Sequence, residues 1–414
     1  MRTSSSNFLN SLLLFFLLSL SPVSWGQKAD STSKKEADSS ELSMNMDAPY
    51  QRPFRTVKKM PVNLGGYLEV NSLYQASDGV SEGLSFQARR LTLFMSSSIG
   101  RRLSFLSEIE FEAGGEEIAI EFAAVDIAFH PLLNLRGGIV MNPIAGFNQN
   151  HDGPKWEFVE RPDVAVDLLP ATWSNAGFGL YGKAYAGNWI FGYEAYLTNG
   201  FDGTIIDNER NKTFLPASKH SGERFEESFN GKPLLTGKLA IKYRGVGEIG
   251  LSYMGGIYNK FKADGLKLAP KRRVDVLAAD LRFKIAGWKT RFIGELAYDL
   301  VDVPETYTQR YGEIQRGAFL DIIQPILDRP MFGWKKARLN LAARFNYVDW
   351  NVGTFERSGS RIGDERLALT PAISFRPSSR TVLRLNYRYQ WQWDLLRNPP
   401  AHEASWMLGL SSYF

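Results

Sequence analysis

Residues 382–394 read VLRLNYRYQWQWD, and the way their side chains sort decides the fold. The odd positions Leu383, Leu385, Tyr387, Tyr389, Trp391 and Trp393 are all apolar or aromatic, and the even positions Arg384, Asn386, Arg388, Gln390, Gln392 and Asp394 are all polar. Successive side chains of a β-strand point to opposite faces, so this alternation predicts a strand with one apolar and one polar face. The same sorting recurs in ARLNLAARFNY (337–347) and in VLAADLRFKI (276–285).

A soluble sandwich also alternates, but it buries its apolar face against a second sheet. Three features favour a membrane instead. The alternating segments run about 10 to 15 residues, whereas strands of soluble proteins are nearer five or six. Aromatic residues gather at Tyr387, Tyr389, Trp391 and Trp393 and near strand ends at Trp288, Tyr298, Trp350 and Trp406, as in interfacial girdles. The polar faces are rich in arginine, as the lining of a water-filled lumen would be. The expected fold class is therefore all-β, a transmembrane antiparallel β-barrel of about 16 strands. The segments are 62–75, 84–98, 103–113, 117–130, 133–146, 176–187, 188–200, 234–246, 247–260, 274–287, 288–302, 316–327, 337–351, 365–378, 381–396 and 404–414. Connections after even-numbered segments are tight and those after odd-numbered ones mostly longer. With the N-terminus in the periplasm, the long loops lie outside the cell. Segment 316–327 is the least regular, because Asp321 and Pro325 spoil its outward face.

Residues 1–26 place Arg2 before an apolar run from Phe8 to Leu20 and small residues before Gln27, the order of a secretory signal peptide. Residues 27–61, rich in Ser, Lys, Asp and Glu, read as a disordered polar periplasmic leader too short for a plug domain. The barrel takes up 62–414. Cysteine is absent, so neither disulfides nor lipid attachment at a cysteine contributes. A formal charge of +5 is too balanced to argue for nucleic acid. At the other end, WMLGLSSYF (406–414) puts Trp406, Leu408, Leu410 and Phe414 on one face. These side chains are expected to face the lipid bilayer and to serve as the signal read by the outer-membrane assembly machinery, with the last strand closing on the first.

Parity assigns the lumen Arg282, Lys284, Lys289, Arg291, Arg338, Arg344, Arg366, Arg376, Arg384 and Arg388 from the last seven strands. The early strands contribute Glu69, Glu108, Glu110, Glu112 and Asp126, along with Arg90 and Arg136. One connection stands apart: NQNHDGPKWEFVERPDVAVDLLPATWSN (148–175), the third external loop, which carries Asp152, Trp156, Glu157, Glu160, Arg161, Asp163 and Asp167. Its apolar content suits a constriction loop folded into the lumen; the alternative is an external cap or subunit contact. A basic wall facing this acidic loop would set a transverse field across the narrowest water, unless the charges serve only to solvate a polar lumen.

The stretch VDIAFHPLLNLRGGIVMNPIAGFNQN (125–150), followed by WEFVERP (156–162) and GYEAYLTNGFDG (192–203), resembles the phosphate-selective porin O and P family of outer-membrane channels. The likeness runs over roughly residues 63–414. It implies a 16-stranded barrel, often a homotrimer, with the third loop inside the pore. Phosphate-binding members line the pore with arginine and lysine ladders, for which this sequence offers no position-by-position match.

The four histidines, His130, His151, His220 and His402, show no metal-ligand spacing, and neither a G-x-S-x-G elbow nor a cofactor motif is present. His151 beside Asp152 reads as a solvated loop dipeptide. The expected function is non-enzymatic, without cofactor: a porin passing small hydrophilic or anionic solutes through a charged lumen. The alternative is a closed-lumen barrel acting as an adhesin or structural protein through surface loops such as 201–233.

Overall fold

The computed structural model describes residues 42–56 and 61–414. The signal peptide expected at 1–26 lies outside the described residues, as does the leader from 27 to 41. The wall consists of β1 (Asn63–Ser77), β2 (Val80–Ser98), β3 (Leu103–Glu112), β4 (Glu117–His130), β5 (Leu133–Met141), β6 (Ser174–Ala186), β7 (Trp189–Thr198) and β8 (Leu234–Tyr243). It continues through β9 (Gly247–Ile257), β10 (Arg273–Lys284), β11 (Arg291–Val301), β12 (Ile314–Asp328), β13 (Arg338–Asp349), β14 (Glu365–Ser378), β15 (Thr381–Gln392) and β16 (Ala401–Tyr413). Each strand is antiparallel to the next. β16 returns to β1 with Tyr413 opposite Tyr67 and Glu403 opposite Ser77, which closes the barrel.

The two faces sort as alternation requires. Leu383 and Leu385 on β15 are each 42% exposed on the outside, whereas Arg384 and Asn386 beside them are 1% and 0% exposed within. An outward apolar band around a polar interior is the membrane-barrel arrangement, the inverse of a soluble core. Trp406, Leu408, Leu410 and Phe414 likewise lie outward, and the Phe414 amide donates to the Gly66 carbonyl across the seam at 3.0 Å.

Three expectations are corrected. The connection read at 76–83 is only Asp78 and Gly79, both at positive φ (48° and 84°), the conformation of a tight hairpin turn. Asp321 of β12 does not spoil the outward face: it points inward, fully buried, and Leu320 and Ile322 face out instead. Pro325 is accommodated by a register shift against β13 between Pro325 and Leu327. Finally, residues 42–56 of the supposedly disordered leader are ordered inside the barrel. Arg55 and Thr56 pair with Leu64 and Asn63 of β1. Before them, a 3₁₀ turn over Asn45–Gln51 lies against the inner wall.

Candidate functional site

The loop between β5 and β6 folds into the lumen because the wall there is apolar on its inner face. Val164, Ala165, Leu168 and Leu169 of the loop pack in one cluster with inward residues Met254 of β9, Val276 and Ala278 of β10, Ala297 of β11, Phe319 of β12 and Val348 of β13. The Trp156 ring sits 4.9 Å from that of Phe147 and 6.3 Å from that of Phe319. Phe158 packs on Ile323, Ala342 and Ala372. At Gly409 of β16 the loop approaches so closely that a Cβ would meet Val159 Cγ2 at 2.8 Å.

The acidic loop and the basic wall do not face each other across water; they touch. Arg376 donates to Glu157 at 3.0 and 3.1 Å, Arg291 at 2.7 Å and the Ser374 hydroxyl at 2.6 Å. Arg388 makes a two-pronged bond to Asp163 at 2.9 and 2.7 Å, and Arg366 donates to Asp167 at 2.6 Å. Arg344 binds Asp321 at 2.6 and 2.7 Å and the Glu160 carbonyl at 2.7 Å, its guanidinium lying 4.2 Å from the centre of the Phe158 ring. Arg384 gathers the loop's carbonyls at Gly153, Trp156 and Phe158 while holding Glu69 at 2.5 Å. These charges clamp the loop, meeting their partners directly and not across water. Burial would raise the Glu157 carboxyl, but Arg376 and Arg291 hold it down at about 2. Asp167 goes the other way: burial raises it, and nearby Asp163 adds to that against the pull of Arg366.

The acidic side of the wall is also neutralised. Arg90 reaches Glu69 at 3.2 Å, Glu110 at 3.3 Å and Glu112 at 2.6 Å, and Arg136 reaches Asp126 at 2.8 Å. Arg161 of the loop lies 3.5 Å from Glu110, and Arg89 lies 3.5 Å from Glu160. Glu108 meets His151 at 3.2 Å and Arg52 of the leader at 2.8 Å. His151 and Asp152 are thus not a solvated dipeptide; both are essentially buried. Glu108, Glu110 and His151 lie close enough to share an ion. Arg52, Arg90 and Arg161 already face those carboxylates, however, so an added cation would meet three positive charges.

Not every expected lining residue lies in this network. Lys289 sits in the turn between β10 and β11, and Arg338 opens β13; both pair with Asp328, at 3.2 and 3.4 Å. Arg282 and Lys284 are exposed near the end of β10 with no ion pair among the described residues. A polar cavity of about 310 Å³ remains between loop and wall, bordered by Glu160, Arg161, Asp167, Arg366, Arg388 and Glu403.

The leader supplies what parity missed. Arg52 binds Asp152 at 2.6 and 3.0 Å, and Tyr413 of β16 donates to the same carboxylate at 2.6 Å. Burial would lower Arg52, but Asp152 and Glu108 overcome it and leave the guanidinium firmly charged. Tyr50 bonds Asp126, and Asp47 pairs with Lys183. The only sequence signal was compositional: Met44, Met46, Tyr50 and Phe54 among polar neighbours.

No protein-family model matches the sequence. An uncharacterized protein of Aquifex aeolicus is 30% identical over 258 residues, which cover 60% of this chain and 55% of that protein. The chain thus matches little more than half the length of that relative. Among solved structures, the anion-selective porin from Comamonas acidovorans superposes with a TM-score of 0.53 at 13% identity, covering 85% of this chain and 99% of the porin. Pseudomonas putida OprB gives 0.53 at 10% identity, covering 86% and 94%, and Salmonella typhi OmpF gives 0.51 at 10%, covering 86% and 98%. The fold is that of outer-membrane porins.

Proposed function

We propose that the chain is an outer-membrane porin through which small hydrophilic solutes, anions among them, diffuse passively, and that it belongs with the phosphate-selective porin O and P relatives it resembles. The observation that carries this reading is a closed barrel whose ion pairs lie inside, with a polar cavity of about 310 Å³ between an inserted loop and the wall. Nearly all lumenal arginines are paired, so the exposed Arg282 and Lys284 are the groups left to favour anions. On this reading the assembly machinery recognises the outward face that ends in Phe414, and homotrimers are the expected assembly. The leader inside the lumen favours a second reading, the closed barrel acting through its outer loops. Planar-bilayer recording of the purified protein separates the two. Steps of defined conductance support the porin, and silence of a correctly folded barrel would leave the closed-lumen reading.

A further inference from the structure

Residues 42–56 make more specific contacts than a passing tether needs. Met44 and Met46 are buried against Ile190 of β7 and Ala240 of β8. Gly192 of β7 leaves the room for them: a Cβ there would stand 2.9 Å from the Met44 sulfur and 3.0 Å from that of Met46. The Asn45 amide donates to both carboxylate oxygens of Glu248 at 3.1 and 3.0 Å, and its side chain donates to the Gly146 carbonyl at 2.9 Å. Asp47 is matched by Lys183, Tyr50 by Asp126, and the Ala48 carbonyl by Lys155 of the loop at 3.3 Å. Arg52 closes the set. Its side chain is 0% exposed between Asp152 of the loop and Glu108 of β3, and it bridges two carboxylates whose other partners are Lys155 at 3.1 Å and His151 at 3.2 Å. The segment therefore joins the wall to the constriction loop, and the lumen has been shaped to receive it.

We infer that residues 42–56 are a built-in plug that partly closes the lumen, locked by Arg52 through the Asp152–Glu108 pair. The inference rests on the pore reading for its effect on conductance, but not for the docking itself. The wall and the loop contribute partners to Asp47 and Arg52, Gly192 makes space for Met44 and Met46, and Tyr50 and Phe54 pack on a second apolar patch that includes Leu106, Phe122 and Tyr196. Displacing the plug widens the water path beside the loop while leaving the sixteen-strand ladder untouched.

Two variants test this in the full-length protein. Arg52→Ala removes the group that bridges the segment to both Asp152 and Glu108, and Gly192→Leu fills the seat of the two methionines from the wall side. Because the chain has no cysteine, Met44→Cys is a probe without background. In the parent, this thiol should resist a membrane-impermeant maleimide, since Met44 is 3% exposed. With either displacing substitution added, labelling should speed up, and unitary conductance in planar bilayers should exceed that of the parent. Heat-modifiable migration on gels confirms that each barrel is folded, and the second variant stands if the first fails to fold. Fast labelling in the parent, or equal labelling in all three, would overturn the plug. Faster labelling in the variants with no conductance anywhere would leave the plug and sink the porin. Faster labelling with unchanged conductance would overturn the gating role.

Discussion

Glu157→Gln should release the constriction loop from the wall without opening the barrel. The carboxylate is fully buried and receives Arg376, Arg291 and Ser374, so the neutral amide removes the counter-charge of two guanidiniums and turns an NH₂ toward them. Losing one partner of a buried pair costs about 3–5 kcal/mol. Arg291 is 31% exposed and regains water, and Arg376 keeps the Pro154 and Trp156 carbonyls at 2.8 and 3.3 Å, so the lower end applies. A loss of about 3 kcal/mol raises the population of undocked loop by roughly a hundred-fold, and proteolysis under fast opening and closing reports that population. Trypsin cleavage after Lys155, followed in detergent, is the assay. Equal cleavage rates for the variant and the parent would refute the claim that Glu157 anchors the loop. The pH dependence provides a check of sign. With its folded value depressed to about 2, Glu157 contributes fully above its ordinary value of 4.5 and loses that contribution only as pH falls toward 2. Docking should therefore hold through mild acid in the parent.

Asp167 titrates in the opposite sense, since its raised folded value lets the native state take up a proton at a pH where an unfolded aspartate remains charged. As pH falls toward the carboxylate range, the cavity beside Arg366 should become more positive and the reversal potential should shift toward anions. Asp167→Asn should flatten that part of the profile, and identical profiles would count against it. At the C-terminus, Phe414→Asp should reduce the yield of folded, heat-modifiable barrel in the membrane, because it puts a charge on the outward face beside the seam. Normal assembly would remove the terminal aromatic from the recognition signal.

The wall was legible because every strand repeats one rule, apolar out and polar in, over enough residues for the alternation to stand out; β15 alone shows it. What escaped were places where a second layer overrides the rule. Asp321 seemed out of place because its same-face neighbours Phe319 and Ile323 are apolar, and these are inward residues that the loop covers. The inward apolar residues Val276, Ala278 and Val348 make sense only once the loop covers them. The ion pairs of the loop came from the right residue types, but contact cannot be read from parity, and a wall and loop of opposite charge touch unless something holds them apart. The leader was misread because its composition is polar overall. Four apolar side chains suffice to dock a segment when its inward charges, Asp47 and Arg52, find partners in the wall and loop.

Closure of the sheet has a consequence for the order of events during folding. The Ser411 hydroxyl bonds the Leu68 carbonyl across 343 positions of chain, so the first strand waits for the last before it gains its second neighbour. The entropy of closing such a loop grows only slowly with its length, but no contact repays it until the seam zips. Residues 42–56 precede the first strand, and most of their seat is formed by β3, β4, β6, β7, β8 and β9, away from the seam. The segment can therefore settle onto a curved, still open sheet and be enclosed by the final zipping, so that a stretch too polar to enter lipid reaches the interior without threading through a finished ring.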